Sequence, residues 1–244
     1  MAFEFLTENV MGVGCRPEDF EELLGCTCSE MCSSQSGCSC LPYSDNYSAS
    51  GCQLESEKPI VECGDGCRCS LSCGNRVVQL GVKFKLQLFD TNDKGRALRT
   101  TEPIPANRFV IEYIGEVIGL DEAKRLVALR ESSAHLHNYV FVVNEHITGA
   151  SSDILTTIID PTVKGGMGRF INHSCSPNLR VVIVRFTTAV ARVALFASRN
   201  ISAGEELSYS YGEASAVGSS SSRKKCNCGV SSCVGVLPFD GNNL

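Results

Sequence analysis

Through the middle of the chain, apolar residues come in short runs separated by turn-forming residues. Residues 82–89 (VKFKLQLF), 109–118 (FVIEYIGEVI), 138–143 (NYVFVV), 179–186 (LRVVIVRF) and 192–197 (RVALFA) are rich in β-branched and aromatic side chains, which predicts strands. Asp93-Lys94-Gly95, Ile104-Pro105-Ala106-Asn107 and Ser202-Ala203-Gly204 supply turns between them. Two stretches read as helix. One is residues 121–131 (DEAKRLVALRE), with Asp121 as candidate cap, and the other is a short one within residues 16–24 (RPEDFEELL). The expected fold is therefore mostly β. Residues 26–73 have little periodicity of either kind, so something other than an apolar core must hold them. Residues 212–225 (GEASAVGSSSSRKK) read as a flexible linker.

Composition narrows this picture. The chain has 244 residues, room for one large domain with small attachments, and 43% of them are hydrophobic, enough for a core. The formal charge of -5 argues against nucleic-acid binding by charge alone and suits a basic partner; no nucleic-acid site is readable. No run of about 18 apolar residues predicts a membrane span. Glu4 and Glu8 stand where a secretion signal wants positive charge, so the expected setting is the reducing cytosol or nucleus, where disulfides are rare.

The cysteines are clustered. Ten of the fifteen lie between Cys26 and Cys73, three between Cys226 and Cys233, and Cys15 and Cys175 stand apart. Nine of the first ten form two arrays: Cys26, Cys28, Cys32, Cys38 and Cys40, then Cys63, Cys67, Cys69 and Cys73. Zinc takes four thiolates in a tetrahedron. Nine sulfurs satisfy three such ions if six bind once and three bridge. Cys52 is the odd member. A disulfide knot is the alternative, and the expected compartment argues against it. The last array, Cys226, Cys228 and Cys233, lacks a fourth ligand. Cys175, alone in residues 74–225, is the candidate, unless it is simply a buried thiol. Thirteen ligand thiolates and four zinc ions would bring the net charge to about -10, strengthening the case for a basic partner.

Cys175 sits in Arg169-Phe170-Ile171-Asn172-His173-Ser174-Cys175-Ser176-Pro177-Asn178, and Gly204-Glu205-Glu206-Leu207-Ser208-Tyr209-Ser210-Tyr211-Gly212 follows. The pair resembles the two signature motifs of SET-domain protein lysine methyltransferases. The nine-cysteine arrays resemble the pre-SET zinc cluster, and the last three cysteines resemble a post-SET motif. Cys73-Gly74-Asn75-Arg76-Val77-Val78-Gln79 is similar to the pre-SET to SET junction of the Suppressor-of-variegation branch. The resemblance implies a SET fold of small β-sheets with a knot-like active-site segment. It divides the chain into an N-terminal segment (1–25), pre-SET cluster (26–75), SET domain (76–212), linker (213–225) and post-SET motif (226–244).

The same resemblance implies transfer of methyl from S-adenosylmethionine to a lysine of the histone H3 tail, lysine 9 or lysine 36, on chromatin in the nucleus. It assigns Asn172 and His173 to the cofactor, with Arg169 as either a further cofactor residue or a surface salt-bridge partner. It sets Tyr211 against the transferring methyl and makes Tyr113 and Tyr139 aromatic walls of the lysine channel and cofactor pocket. Tyr209 stands where relatives carry phenylalanine or tyrosine, and its hydroxyl favours mono- or dimethylation. Two positions depart from the pattern. The cofactor turn, usually Gly-x-Gly, reads Gly95-Arg96-Ala97, and Ser210 replaces an aspartate. These departures motivate an alternative, a catalytically impaired module that binds histone tails or partners.

Overall fold

The apolar runs assemble as short strands in the computed structural model, which describes residues 3–54, 59–132, 137–146, 154–212 and 224–238. All but the last two residues of the expected linker, 213–225, lie outside the described residues. The strands are β1 (Glu4–Phe5), β2 (Val10–Met11), β3 (Ile60–Val61), β4 (Leu86–Asp90), β5 (Arg96–Thr100), β6 (Phe109–Tyr113) and β7 (Gly115–Val117). After helix α1 (Leu120–Glu131) come β8 (Phe141–His146), β9 (Ile154–Gly165), β10 (Asn172–His173), β11 (Leu179–Arg185), β12 (Arg192–Ala197) and β13 (Ser208–Tyr209). Among the described residues no helix is long and apolar enough to cross a membrane.

Among the described residues these strands form four small sheets. One runs β1-β9-β7-β2, with β8 also on β9; a second runs β3-β11-β12-β6; β4 pairs with β5 and β10 with β13. The central core lies where β6, β11 and β12 meet the segments around Ile104, Ile171 and Leu207. Leu98, Leu195 and Leu207 are fully enclosed there. Burying each such leucine side chain contributes about 1.5–3 kcal/mol.

Several expectations need correction. Residues 109–118 form two strands, not one. At Gly115 the chain passes so close to the Asp160 carbonyl that an added Cβ would lie 2.8 Å away, and β6 and β7 diverge there into different sheets. Residues 138–143 shift to β8 because its register with β9 runs from Phe141↔Ile159 to His146↔Ile154. Residues 82–89 become β4, set by pairing Leu86↔Thr100 to Asp90↔Arg96. The expected helix in residues 16–24 is one 3-10 turn, Pro17–Phe20, because Leu23 N–H then donates to Thr187 O at 2.7 Å. Asp121 does not cap α1; Gly119 holds that position without a side-chain bond, and Asp121 lies in the first turn, where its charge still favours the helix dipole.

Candidate active site and cysteine clusters

β10 and β13 run parallel, with His173 opposite Tyr209, and Ser174 N–H donates to the Tyr209 carbonyl at 3.1 Å. This pairing joins the two motifs that stand far apart in the chain. Tyr211 N–H donates to His173 Nδ1 at 3.2 Å, which makes Nδ1 the acceptor of a neutral imidazole. Burial lowers the His173 pKa, consistent with that neutral form.

The tyrosines converge beside this seam. The rings of Tyr209 and Tyr211 lie 4.9 Å apart at 51°, and Tyr113 meets Tyr209 edge-on at 6.3 Å. Tyr211 Oη donates to the Ile171 carbonyl at 2.9 Å, and Tyr113 Oη donates to the Tyr139 carbonyl at 2.7 Å. Burial pushes the Tyr113 hydroxyl well above the ordinary tyrosine range, so it stays protonated and keeps donating. Phe141, which sequence reading left as an ordinary strand residue, closes the cluster at 5.2 Å from Tyr113 and 6.0 Å from Tyr209.

The expected cofactor residues flank the cluster. Gly95 takes φ +74°, the left-handed region that glycine enters freely. Arg96 is exposed and Ala97 is fully buried opposite Phe89. Ala97 is not among the described positive-φ residues, so its methyl brings no backbone strain. Ser210 closes a local turn by donating to Gly212 O at 2.9 Å. Asn172 Nδ2 lies 3.3 Å from both Arg96 O and Glu206 Oε1, and Lys94 Nζ pairs with Glu206 at 2.6 Å.

Arg169 does not form a surface salt bridge among the described residues. Its guanidinium lies 4.2 Å from the Tyr139 ring, 4.4 Å from Phe3 and 5.3 Å from Phe170. Nη1 donates to Thr162 O at 3.3 Å, while the buried Nε has no hydrogen-bond partner among the described residues. A buried donor left unpaired is costly, and a carboxylate accepting from that edge would satisfy it. The site therefore fits a ligand carrying an amino-acid carboxylate, as S-adenosylmethionine does.

All nine cysteines of the first two arrays gather in one cluster with Leu41 and Val61. Cys26, Cys32, Cys63 and Cys69 bring their sulfurs within 4.8 Å of one another; so do Cys26, Cys28, Cys32 and Cys38, and Cys26, Cys38, Cys40 and Cys63. Sulfur separations of 3.6 Å (Cys26–Cys32) and 3.7 Å (Cys32–Cys63, Cys40–Cys67) sit near the edge, about 3.8 Å, of a tetrahedron with ~2.3 Å Zn–S bonds. Cys26 belongs to all three groups and Cys32, Cys38 and Cys63 to two each, so the candidate metal positions share sulfurs. No two of the described cysteines are joined by a disulfide. Without metal, burial pushes Cys38 up to about 12, a state that zinc reverses by binding the thiolate.

The second cluster joins Cys175 to Cys226, Cys228 and Cys233, with Cys175 at 3.9 Å from Cys226 and 4.0 Å from Cys233. Cys175 Sγ is also 3.5 Å from His173 Nε2, so this cluster adjoins the β10–β13 seam. Cys15 and Cys52 join neither cluster.

Asn178 and Phe3, besides Phe141, escaped sequence reading. Asn178, almost fully buried, donates to Glu205 Oε1 at 2.9 Å and Glu206 O at 2.8 Å, and accepts from Ser208 N at 2.8 Å. It ties the two motifs together; its place within the first motif was the available signal. Phe3 had no local signal at all.

A model for the SET domain matches residues 95–212, and one for the Pre-SET motif matches residues 1–76. The mouse histone-lysine N-methyltransferase SETMAR is 41% identical over 257 residues, covering 98% of this chain and 82% of that protein. The methyltransferase domain of human SETMAR superposes with a TM-score of 0.87 at 38% identity, over 98% of this chain and 90% of that one. KRYPTONITE, solved with methylated DNA, an H3(1-15) peptide and S-adenosylhomocysteine, matches at a TM-score of 0.77 and 31% identity, over 96% of this chain and 47% of that one. A chain that aligns with such enzymes over nearly its full length, in sequence and in backbone, belongs to the SET-domain histone-lysine N-methyltransferases, which take their methyl group from S-adenosylmethionine.

Proposed function

We propose that the protein methylates a lysine of the histone H3 tail, lysine 9 or lysine 36, and stops at mono- or dimethyl-lysine. The observation that carries this is the convergence of Tyr113, Tyr209, Tyr211 and Phe141 beside His173. The H3 assignment draws on the acidic net charge, on the H3(1-15) peptide bound by KRYPTONITE and on family likeness. Action on chromatin in the nucleus follows from that substrate.

S-adenosylmethionine supplies an electrophilic methyl; the lysine nitrogen's lone pair forms the N–C bond and the C–S electrons return to sulfur. The attacking amine must be neutral. Lysine has a pKa of about 10.4, so deprotonation at pH 7 costs about 4–5 kcal/mol. The aromatic walls lower that cost by excluding water, which disfavours the ammonium. Tyr211, its ring fixed by the bond to Ile171, faces the methyl and amine. Tyr209 adds a hydroxyl that occupies room a third methyl needs. In this reading Arg169 holds the carboxylate, Tyr139 walls the pocket, and Gly95, Arg96, Ala97, Asn172 and His173 complete it.

Four zinc ions complete the reading, three in the nine-cysteine cluster and one held by Cys175, Cys226, Cys228 and Cys233. Their role is structural, and the last clamps the tail beside His173. The division into segments 1–25, 26–75, 76–212, 213–225 and 226–244 belongs to the same proposal.

Mass spectrometry of H3 peptides after incubation with enzyme and methyl donor tests this. Methylation at lysine 9 or 36 ending at dimethyl is expected, and Tyr211→Phe should cut the rate at least tenfold. Ready trimethylation would refute the Tyr209 assignment, and an unchanged rate in the variant would refute that of Tyr211.

A further inference from the structure

We propose that Phe3, from the segment preceding the cysteine arrays, is a positioning residue for the methyl-donor pocket, acting through Arg169. The inference rests on reading Arg169 as the holder of the donor's carboxylate. β1 is anchored at the far end of β9 by Glu4↔Lys164 and Phe5↔Gly165, and Leu6 N–H donates to Gly165 O at 3.0 Å. That anchor sets the Phe3 ring 4.4 Å from the Arg169 guanidinium. Phe5 meets Phe3 edge-on at 4.9 Å and Phe170 lies 6.4 Å away, so the ring is held on two sides.

The chemistry of the surround is what matters. Arg169 is gripped by rings from three separate stretches of chain, Phe3, Tyr139 and Phe170. No carboxylate of the described residues pairs with it. Aromatic faces attract a guanidinium without neutralising it or using its N–H donors. A carboxylate partner would do both and would compete with the ligand. The cage thus stiffens a long, rotamer-rich side chain while leaving its Nε edge available to a bound anion. Phe3 is the wall the catalytic domain does not supply itself.

The test is a double-mutant cycle on the full chain, read as the calorimetric Kd for S-adenosylhomocysteine. F3L and F3M keep apolar bulk but lose the π face; F3W keeps it. F3L and F3M are both run, with melting and zinc content monitored, so that a packing defect in one leaves the other to decide. F3L and F3M are expected to raise Kd about three- to tenfold, with F3W within twofold of wild type. R169Q should weaken binding more strongly, and F3L added to R169Q should change nothing further. Phe3 is overturned as a positioning residue if F3L and F3M bind as wild type while R169Q does not, if F3W weakens as much as F3L, or if F3L costs the same in both backgrounds. An R169Q protein that binds as tightly as wild type instead removes the Arg169 assignment, and the role of Phe3 with it.

Discussion

Two regions of this molecule are held together by different means. Around Leu98, Leu195 and Leu207 the interior is built of apolar side chains drawn from many strands. From Cys26 to Cys73 the described residues contain a single two-residue strand, and the cluster at the centre of this stretch is nine sulfurs with one leucine and one valine. The first region folds because burying apolar area is favourable wherever water is present. The second depends on an ion: structural zinc contributes on the order of 10–16 kcal/mol, as much as the whole stability of an ordinary domain. The seam between them is a small shared core, Tyr47 and Ile60 against Phe109, Val184 and Phe196, together with a buried carboxylate. Glu62 accepts from Tyr47 Oη at 2.6 Å, from the backbone N–H groups of Val77 and Val78 at 3.0 and 2.7 Å, and from Gln79 Nε2 at 2.9 Å. Failure of one region should therefore reach the other through the β3–β11 pairing, the Tyr47 and Ile60 contacts and the bonds of Glu62.

The sharpest break is removal of metal. Chelation, or Cys63→Ser at a fully buried sulfur shared by two ligand groups, should release zinc and abolish hydrogen-exchange protection around residues 60–63 and 73–76, while β11 and β12 keep theirs. Elemental analysis with exchange mass spectrometry checks this, and unchanged protection in zinc-free protein would collapse the distinction. Next is Leu195→Ala, which should cost about 2–5 kcal/mol and lower the melting temperature by roughly 5–15 °C with zinc content intact.

A smaller effect concerns acid. Glu205 lies below the usual carboxylate range: burial raises it, but bonds from Arg199, Asn178 and the Ser202 N–H outweigh that. A depressed folded pKa gives stability that is present above the unfolded value, about 4.3, and lost as pH falls below it. The melting-temperature gap between wild type and Glu205→Gln should thus be widest near neutrality and close on acidification below about pH 4. A gap that widened in acid would reverse the assignment. Least of all, Cys15→Ser and Cys52→Ser should leave zinc content unchanged; loss of an ion in either would redraw the ligand set.

How much of this was legible in the sequence depended on the range of the interaction. RVALFA became β12 with its limits unchanged, because its own composition determines it. The cysteine spacing foretold the clusters, since ligand chemistry is written in residue type. The strand β9, twelve residues long, went unseen: its run ILTTIIDPTVKG carries Pro161, which cannot donate to a ladder, and its apolar positions do not alternate. β1 and β2 have two residues each, too few for any period, and exist only through pairing with Lys164, Gly165, Glu116 and Val117. The tyrosine cluster was legible residue by residue, yet Phe141 and Phe3 were not, since their importance lies in distant partners.

The parallel pairing of β1 with the end of β9 also has a meaning for synthesis. Chains emerge from the ribosome N-terminus first, and contacts between remote stretches form late. Glu4 and Phe5 must wait for Lys164 and Gly165 before they can dock. Until then, Phe3 and Phe5 have each other but neither Phe170 nor Arg169, a natural hold for a chaperone. β1 thus precedes every other described strand in the chain and is yet among the last to be fastened.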